Sequence, residues 1–258
     1  MADPSPPAGR LSELVVEPDC APGLWLAVDS GEIEELIPEL PLLAMEQDPI
    51  HRHKDVLAHT IAVVAKTKPE LTIRLAALFH DIGKPQTRSF DHGGVTFRHH
   101  EEVGARITSK RLTALGFPEP LVDEVSELVR LSGRFKGYTD GWSDSAVRRY
   151  ARDAGPLLGK LNHLVRCDCT TRNRARAEGI QTAVDDLEAR IQVLAEEDRR
   201  RAERPGLDGA AVMAHLGIGP GRDVGEALSF LLEVKRSEGD LEVAELQSRL
   251  DSWWAGRD

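Results

Sequence analysis

A histidine and an aspartate stand side by side at His80-Asp81, near the end of the apolar run AALFHDIGK, Ala76–Lys84. Neighbouring residues on a helix point about 100° apart, so such a pair can grip one cation from both sides. Two more residues of ligand type fall where apolar ones would be expected. His59 lies on a stripe with Val56 and Val63, and Asp168 takes the next position on the stripe Leu157, Leu161, Leu164, Val165. A carboxylate facing a core costs several kcal/mol unless it is paired or binds a metal. Two imidazoles and two carboxylates, from His59, His80, Asp81 and Asp168, suit Mn, Fe, Co, Ni or Zn, and Mg less well. Four protein groups on such a cation leave positions for water and substrate. The cation lowers the pKa of its water toward neutrality and offsets charge on a phosphoryl group, so a phosphate ester is the natural substrate. Lys84 and Arg88 follow closely and could hold phosphate oxygens, and His99 or His100 could protonate a leaving alcohol. The same residues also admit a plainer account: a buried polar cluster without metal, a surface lysine at 84, and loop or capping histidines at 99 and 100.

For the four to meet, three helices must converge. Asp55 is the N-cap of a helix through DVLAHTIAVVAKT, Lys68-Pro69 turns the chain, and Leu71–Ile82 forms a second helix stopped by Gly83. These two form an antiparallel hairpin. His59 lies 10 residues before Pro69 and His80 lies 11 after it. At about 1.5 Å per residue the two histidines reach nearly the same height, and helices packed roughly 8–10 Å apart leave a cation within reach of both. Asp168 ends a third helix, predicted over Pro156–Asp168.

The remaining chain supports a helical frame. Of 258 residues, 41% are hydrophobic and only 5% aromatic, so the core is mostly Leu, Val, Ile and Ala, residues that form helical stripes. The only strand signal is Phe90–Val95 around His92-Gly93-Gly94, a small β-hairpin. Further helices are predicted over His99–Leu115, Leu121–Leu131, Ala146–Asp153 capped by Ser143 or Asp144, and Arg174 to about Glu203. Loops hold His51 and His53, and Arg134, Lys136, Tyr138 and Asp140. After the break at Arg204-Pro205-Gly206 come Gly209–Leu216, Val224–Ser237 and Glu242–Trp254. The fold class is therefore all-α, with one β-hairpin and a C-terminal helical extension. Residues 1–28 are expected to be a partly disordered tail, 29–204 the main domain, and 205–258 a small helical subdomain.

Charge and cysteine usage narrow the function classes. A net charge of −10 and a pI near 5.4 argue against a surface coated for nonspecific nucleic-acid binding. Cys20, Cys167 and Cys169 form no CxxC pair and read as reduced thiols of a cytoplasmic protein. The N-terminus lacks an apolar signal core, and no run reaches membrane-spanning length.

The spacing His59…His80-Asp81…Asp168 resembles the H…HD…D signature of HD-domain phosphohydrolases. More closely, RHKDVLAHT, LAALFHDIGKP, TFRHHEEVGA, DSAVRRY, DCTTRN and RPGLDG…VM…LGI…PG…VGEAL resemble the C-terminal half of bacterial CCA-adding tRNA nucleotidyltransferases and related poly(A) polymerases. These matches run in the family's order from about Gly31 to Trp254. The resemblance implies an HD-domain helical bundle with a divalent cation on the four residues. It also implies hydrolysis of phosphomonoesters, 2′-nucleotides or 2′,3′-cyclic phosphates on nucleotides or RNA ends, or else support of tRNA without catalysis. The polymerase head of that family carries a Gly-Ser turn and a D-x-D pair, and this sequence contains neither. Nucleotide addition by this chain alone is not expected, and the Met1 start favours a stand-alone protein over a fragment. Family members often carry a histidine near Ser132, so this serine bears on a second metal or a substrate contact.

Under that resemblance the expected roles are catalytic for Asp81, Lys84 and His100, and substrate-binding for Arg88, His99, Arg134, Arg149 and Arg172. Clusters at Arg148, Arg149, Arg152, at Arg172, Arg174, Arg176, and at Arg199, Arg200, Arg201, Arg204 could hold RNA phosphates, including those of tRNA. Their plainer account is a solvated helix face with pairs such as Glu196–Arg200.

Overall fold

The structure is a computed structural model that describes residues 6–45, 55–91, 94–171 and 173–257. It is helical nearly throughout, as the aromatic-poor core requires, with one small two-stranded sheet among the described residues. Contacts divide the chain into residues 1–192 and 193–258. This division falls inside the long helix, whereas the sequence reading placed it at the Pro-Gly break.

In the first unit, α1 (Pro6–Val16) and α2 (Cys20–Asp29) occupy the stretch expected to be a tail. Leu11, Val15 and Leu24 are fully buried there, so residues 6–29 are part of the core. Their anchor is Arg74, itself buried and without a carboxylate partner among the described residues. Its guanidinium donates to the carbonyls of Val15 and Glu17 at 2.7 Å and of Pro18 at 3.5 Å. It also donates to the carbonyls of Thr67 and Lys68. Each carbonyl offsets part of the cost of placing a cation in the interior. A short helix α3 (Glu32–Leu36) follows.

The central hairpin is α4 (Val56–Lys66) and α5 (Leu71–Phe79). Asp55 caps α4 as expected, accepting from Ala58 N at 3.0 Å. Its stripe Val56 and Val63 is fully buried, worth roughly 1.5–3 kcal/mol for each large apolar side chain. α5 ends at Phe79, three residues before the sequence reading placed its end, and His80-Asp81-Ile82-Gly83 form a turn into α6 (Lys84–Thr87). Gly83 is not a left-handed stop, since its φ is −81°. A Cβ there would lie 2.2 Å from His100 O and 2.7 Å from Gly104 N. The glycine is needed because this turn presses against the next helix.

Strands β1 (Arg88–Asp91) and β2 (Gly94–Phe97) pair antiparallel, Arg88 with Phe97 and Asp91 with Gly94; His92 and Gly93 lie outside the described residues, as do His51 and His53. α7 (His100–Leu115) begins after His99, whose φ of +62° is the one positive value on a described non-glycine residue. It turns at Gly116 into α8 (Glu119–Leu131), against which it packs. Then come α9 (Asp144–Ala154), α10 (Leu158–Asp168) and α11 (Arg174–Ala202). α10 packs on both arms of the hairpin. Lys68 N donates to His163 at 3.1 Å, and Lys66 Nζ donates to the Cys169 carbonyl. These bonds fix the height of Asp168 against His59.

The second unit contains α12 (Gly209–Leu216), α13 (Arg222–Glu238) and α14 (Val243–Ala255). They close around Leu207, Val212, Ala227, Leu231, Leu246 and Leu250.

Candidate metal centre

The hairpin and α10 bring together the four residues singled out in the sequence. The rings of His59 and His80 are 5.5 Å apart. His59 Nε2 lies 2.9 Å from Asp168 Oδ1, and His80 Nε2 lies 3.4 Å from the same oxygen. Asp81 Oδ2 is 3.3 Å from His80 Nε2 and 3.9 Å from His59 Nε2. Ligand atoms of His59, His80 and Asp168 lie within 4.8 Å of one another, so the three could hold one ion.

The nitrogens are oriented from behind. His80 Nδ1 donates to the Ala77 carbonyl at 2.7 Å. This leaves Nε2 buried and without a well-directed hydrogen bond, although two carboxylates stand near it. His59 Nδ1 pairs with the Thr170 hydroxyl at 2.8 Å. Backing one ring nitrogen so that the other faces inward is how metal-ligating histidines are held. A cluster of imidazole and carboxylate with an orphaned buried nitrogen fits a divalent transition cation.

The electrostatics agree. Burial pushes the His80 imidazole down, but the negative charges of Asp81 and Asp168 outweigh it and raise its pKa to about 10. Burial pushes Asp81 up, and His80 and Lys84 reverse this, holding it well below the usual carboxylate range. Burial likewise opposes ionisation of Asp168, and the bonds to His59 and His80 hold its carboxyl far below the ordinary value. The corner stabilises a positive charge on His80 or in its place. Asp168 is less enclosed than its apolar stripe suggested: 49% of its side chain is exposed, because it ends α10 at the rim of a cleft.

That cleft has a volume of about 560 Å³. Lys84 lines it, buried rather than at the surface, with Nζ 2.7 Å from Asp81 Oδ2 and over the Phe97 ring. His100 lines it too. Its Nδ1 donates to the Phe97 carbonyl at 2.7 Å, and its Nε2 stands 3.6 Å from Asp81 Oδ1. Burial holds the His100 pKa below its ordinary value. Glu101 sits 3.2 Å from His100 Nδ1 and accepts from Lys136 at 2.9 Å. A side chain at Gly133 would strike that carboxylate, at 1.9 Å.

The expected substrate contacts divide differently. His99 is exposed beside Glu102, and Arg88 lies over the Phe90 ring; neither reaches the cleft. Arg134 and Arg149 line a separate cavity, and Arg172 lies outside the described residues. The cleft instead takes cations from Lys136 and Arg176, and hydroxyls from Thr170 and Thr171. In the sequence Arg176 reads only as part of a basic cluster, and Lys136 only as a loop residue. The DCTTRN run, next to Asp168, was the available signal for the threonines. Ser132 also lines the cleft, but its hydroxyl donates to the Val129 carbonyl at 2.8 Å.

Comparisons with known proteins give the family. The family model for the HD domain matches residues 56–196. The chain is 34% identical over 257 residues to the CC-adding tRNA nucleotidyltransferase of Thermus thermophilus, covering 96% of this chain and 56% of that protein. It is 30% identical over 234 residues to the A-adding tRNA nucleotidyltransferase of Deinococcus radiodurans, covering 88% of this chain and 53% of that one. The chain thus spans about half the length of the curated relatives it matches. No described helix is long and apolar enough to cross a membrane.

Proposed function

The chain belongs to the HD-domain family, and we propose that its cleft hydrolyses a phosphate ester on a nucleotide or an RNA end, using a divalent cation held by His59, His80, Asp81 and Asp168. The observation that carries this reading is the buried, orphaned Nε2 of His80 facing His59 and two carboxylates. When bound, a divalent cation supplies an acidified water and neutralises phosphoryl charge. The protein's own residues do the rest. Lys84, oriented by Asp81, presents an ammonium to phosphoryl oxygens. His100 keeps its proton on Nδ1, bonded to the Phe97 carbonyl, so its free Nε2 can take the proton that the attacking water loses and return it to the leaving oxygen. Lys136 and Arg176, which also line the cleft, offset the charge of the remainder of the substrate.

The test is conversion of 2′,3′-cyclic AMP to a nucleoside monophosphate, followed by chromatography, and release of phosphate from 2′-AMP and an aryl phosphate, with Mn, Co, Ni, Fe, Zn or Mg added in turn. The wild type turns over with at least one metal, and His80→Ala loses roughly a hundredfold or more, beyond the 10–100-fold typical of outer-shell changes. If wild type and variant are equally inert with every metal, the hydrolase reading fails.

A second reading, support of tRNA without catalysis, is favoured by Ser132 in the cleft wall and by relatives that are tRNA nucleotidyltransferases. It predicts tRNA binding that weakens with salt and survives His80→Ala. A gel showing no shift at low salt eliminates it.

A further inference from the structure

Arg134 and Arg149, absent from the cleft, meet at a second cavity of about 240 Å³ in the same unit. Its floor is apolar, formed by buried Leu131 and Tyr150 with Ala146, and its side is the half-buried indole of Trp142. The rings are fixed. Tyr150 donates its hydroxyl to Asn162 Oδ1 at 2.8 Å, and Trp142 packs on Tyr138 and Tyr150 at 5.3 and 5.5 Å between ring centroids. Arg134 is held at the rim by Asp153, 3.1 Å away. Arg149 is exposed and makes no ion pair with any described residue. A fixed indole and an unpaired guanidinium lining one cavity suit a planar ring carrying an adjacent negative charge, the pattern of stacked, phosphate-linked bases.

The cavity's position gives it meaning. Ser132, Gly133 and Phe135 line the metal-centre cleft, while Arg134, between them in the chain, lines the second cavity. Consecutive Cα atoms are about 3.8 Å apart, so one stretch of backbone is the wall shared by both. A single strand whose terminal phosphate lies in the cleft can place a neighbouring base on the other side of that wall.

We infer that the cavity of Trp142, Tyr150, Arg134 and Arg149 is a nucleobase subsite, and that the substrate is the end of a single-stranded oligonucleotide rather than a mononucleotide. This rests on the phosphate-ester reading for what occupies the cleft, but the subsite itself can be tested by binding alone. The whole 258-residue chain, kept in EDTA so that nothing is hydrolysed, is titrated with a labelled RNA tetranucleotide, the DNA equivalent and a 5′-mononucleotide. Anisotropy and tryptophan emission are both followed.

The wild type binds a tetranucleotide about tenfold or more tightly than the mononucleotide, and the bound base quenches tryptophan emission. Arg149→Glu, on an exposed position that leaves the core intact, brings the ratio of affinities near one. Trp142→Phe keeps the affinity ratio and loses most of the quench, whereas Trp142→Ala loses both. The RNA and DNA arms decide whether the sugar is read. Oligonucleotide binding that is equal in wild type and Arg149→Glu, or binding without quenching, overturns the subsite. Should Trp142→Ala fail to fold, Arg149→Glu and Trp142→Phe decide the question. A wild type that binds selectively yet hydrolyses no phosphate ester removes the function proposed above and leaves this subsite standing.

Discussion

In the second unit, every buried side chain among the described residues is apolar, from Leu207 through Val212, Leu231 and Leu250. In the first unit the buried turn after α5 carries His80, Asp81 and Lys84, flanked by Leu75, Phe79 and Ile82, with His100 buried beside them. Both regions are helical and well packed, yet only one encloses ionisable groups whose desolvation must be offset. A domain built for stability alone would fill that corner with aliphatic carbon, because a buried ionic cluster is at best a neutral exchange for good apolar packing. The contrast locates function where burial carries a cost and stability where it does not.

A pair of substitutions should separate the two regions most sharply. Leu231→Ala removes a fully buried side chain of α13 and is expected to cost about 2–5 kcal/mol, with hydrolysis per folded molecule unchanged. His80→Ala should abolish turnover, and in the metal-free chain it should also cost stability, because Asp81 and Asp168 lose a charged partner. Chemical denaturation and a phosphate-release assay on both variants check this; loss of turnover in Leu231→Ala at full folding would break the contrast.

pH acts on the polar corner alone. His80 titrates near 10 in the folded, metal-free chain against an ordinary 6.5. A raised folded pKa contributes stability that is complete below the unfolded value and fades as pH climbs through about 10. A cation must displace that proton, so apparent metal affinity should rise about tenfold per pH unit between 7 and 9. Calorimetric titration with Mn or Co at three pH values measures the slope, and a flat profile would show that His80 is not a ligand.

Gly83→Ala should cost about 1–3 kcal/mol by forcing the turn off the α7 backbone, with part of the loss appearing as reduced turnover because His100 moves with α7. Removing the caps should have the smallest effect. Asp55→Ala and Asp208→Ala each lose one side-chain bond to a helix N-terminus, to Ala58 N and Ala211 N, for about 1 kcal/mol apiece. Thermal melts compare the two; only the Asp55 change, one turn from His59, should also weaken metal affinity.

The same contrast explains what the sequence reveals. His59 and Asp168 are legible because each interrupts an apolar period, and the Lys68-Pro69 turn sets the histidines at one height. The late helices are legible for the opposite reason, since their stripes are uninterrupted and their ends marked by Asp208, Gly217 and Gly239. Lys136 and Arg176 carry no period, so nothing local assigns them to the cleft. Gly83 reads as a helix stop because its true reason, the nearness of His100 O, comes from a distant part of the chain. The first two helices were obscured by Pro, Gly and short apolar runs, and their burial depends on Arg74, whose five acceptors lie on two segments far apart in sequence.

That arginine has a practical consequence. Trimming the chain from its front to just past Pro18, an ordinary step when preparing a shorter version for expression, would strip away three of its acceptors at once, those of Val15, Glu17 and Pro18. A stranded guanidinium would then sit at the root of the α4–α5 hairpin, and the histidines carried by that hairpin would lose their alignment although no cut came within forty residues of either.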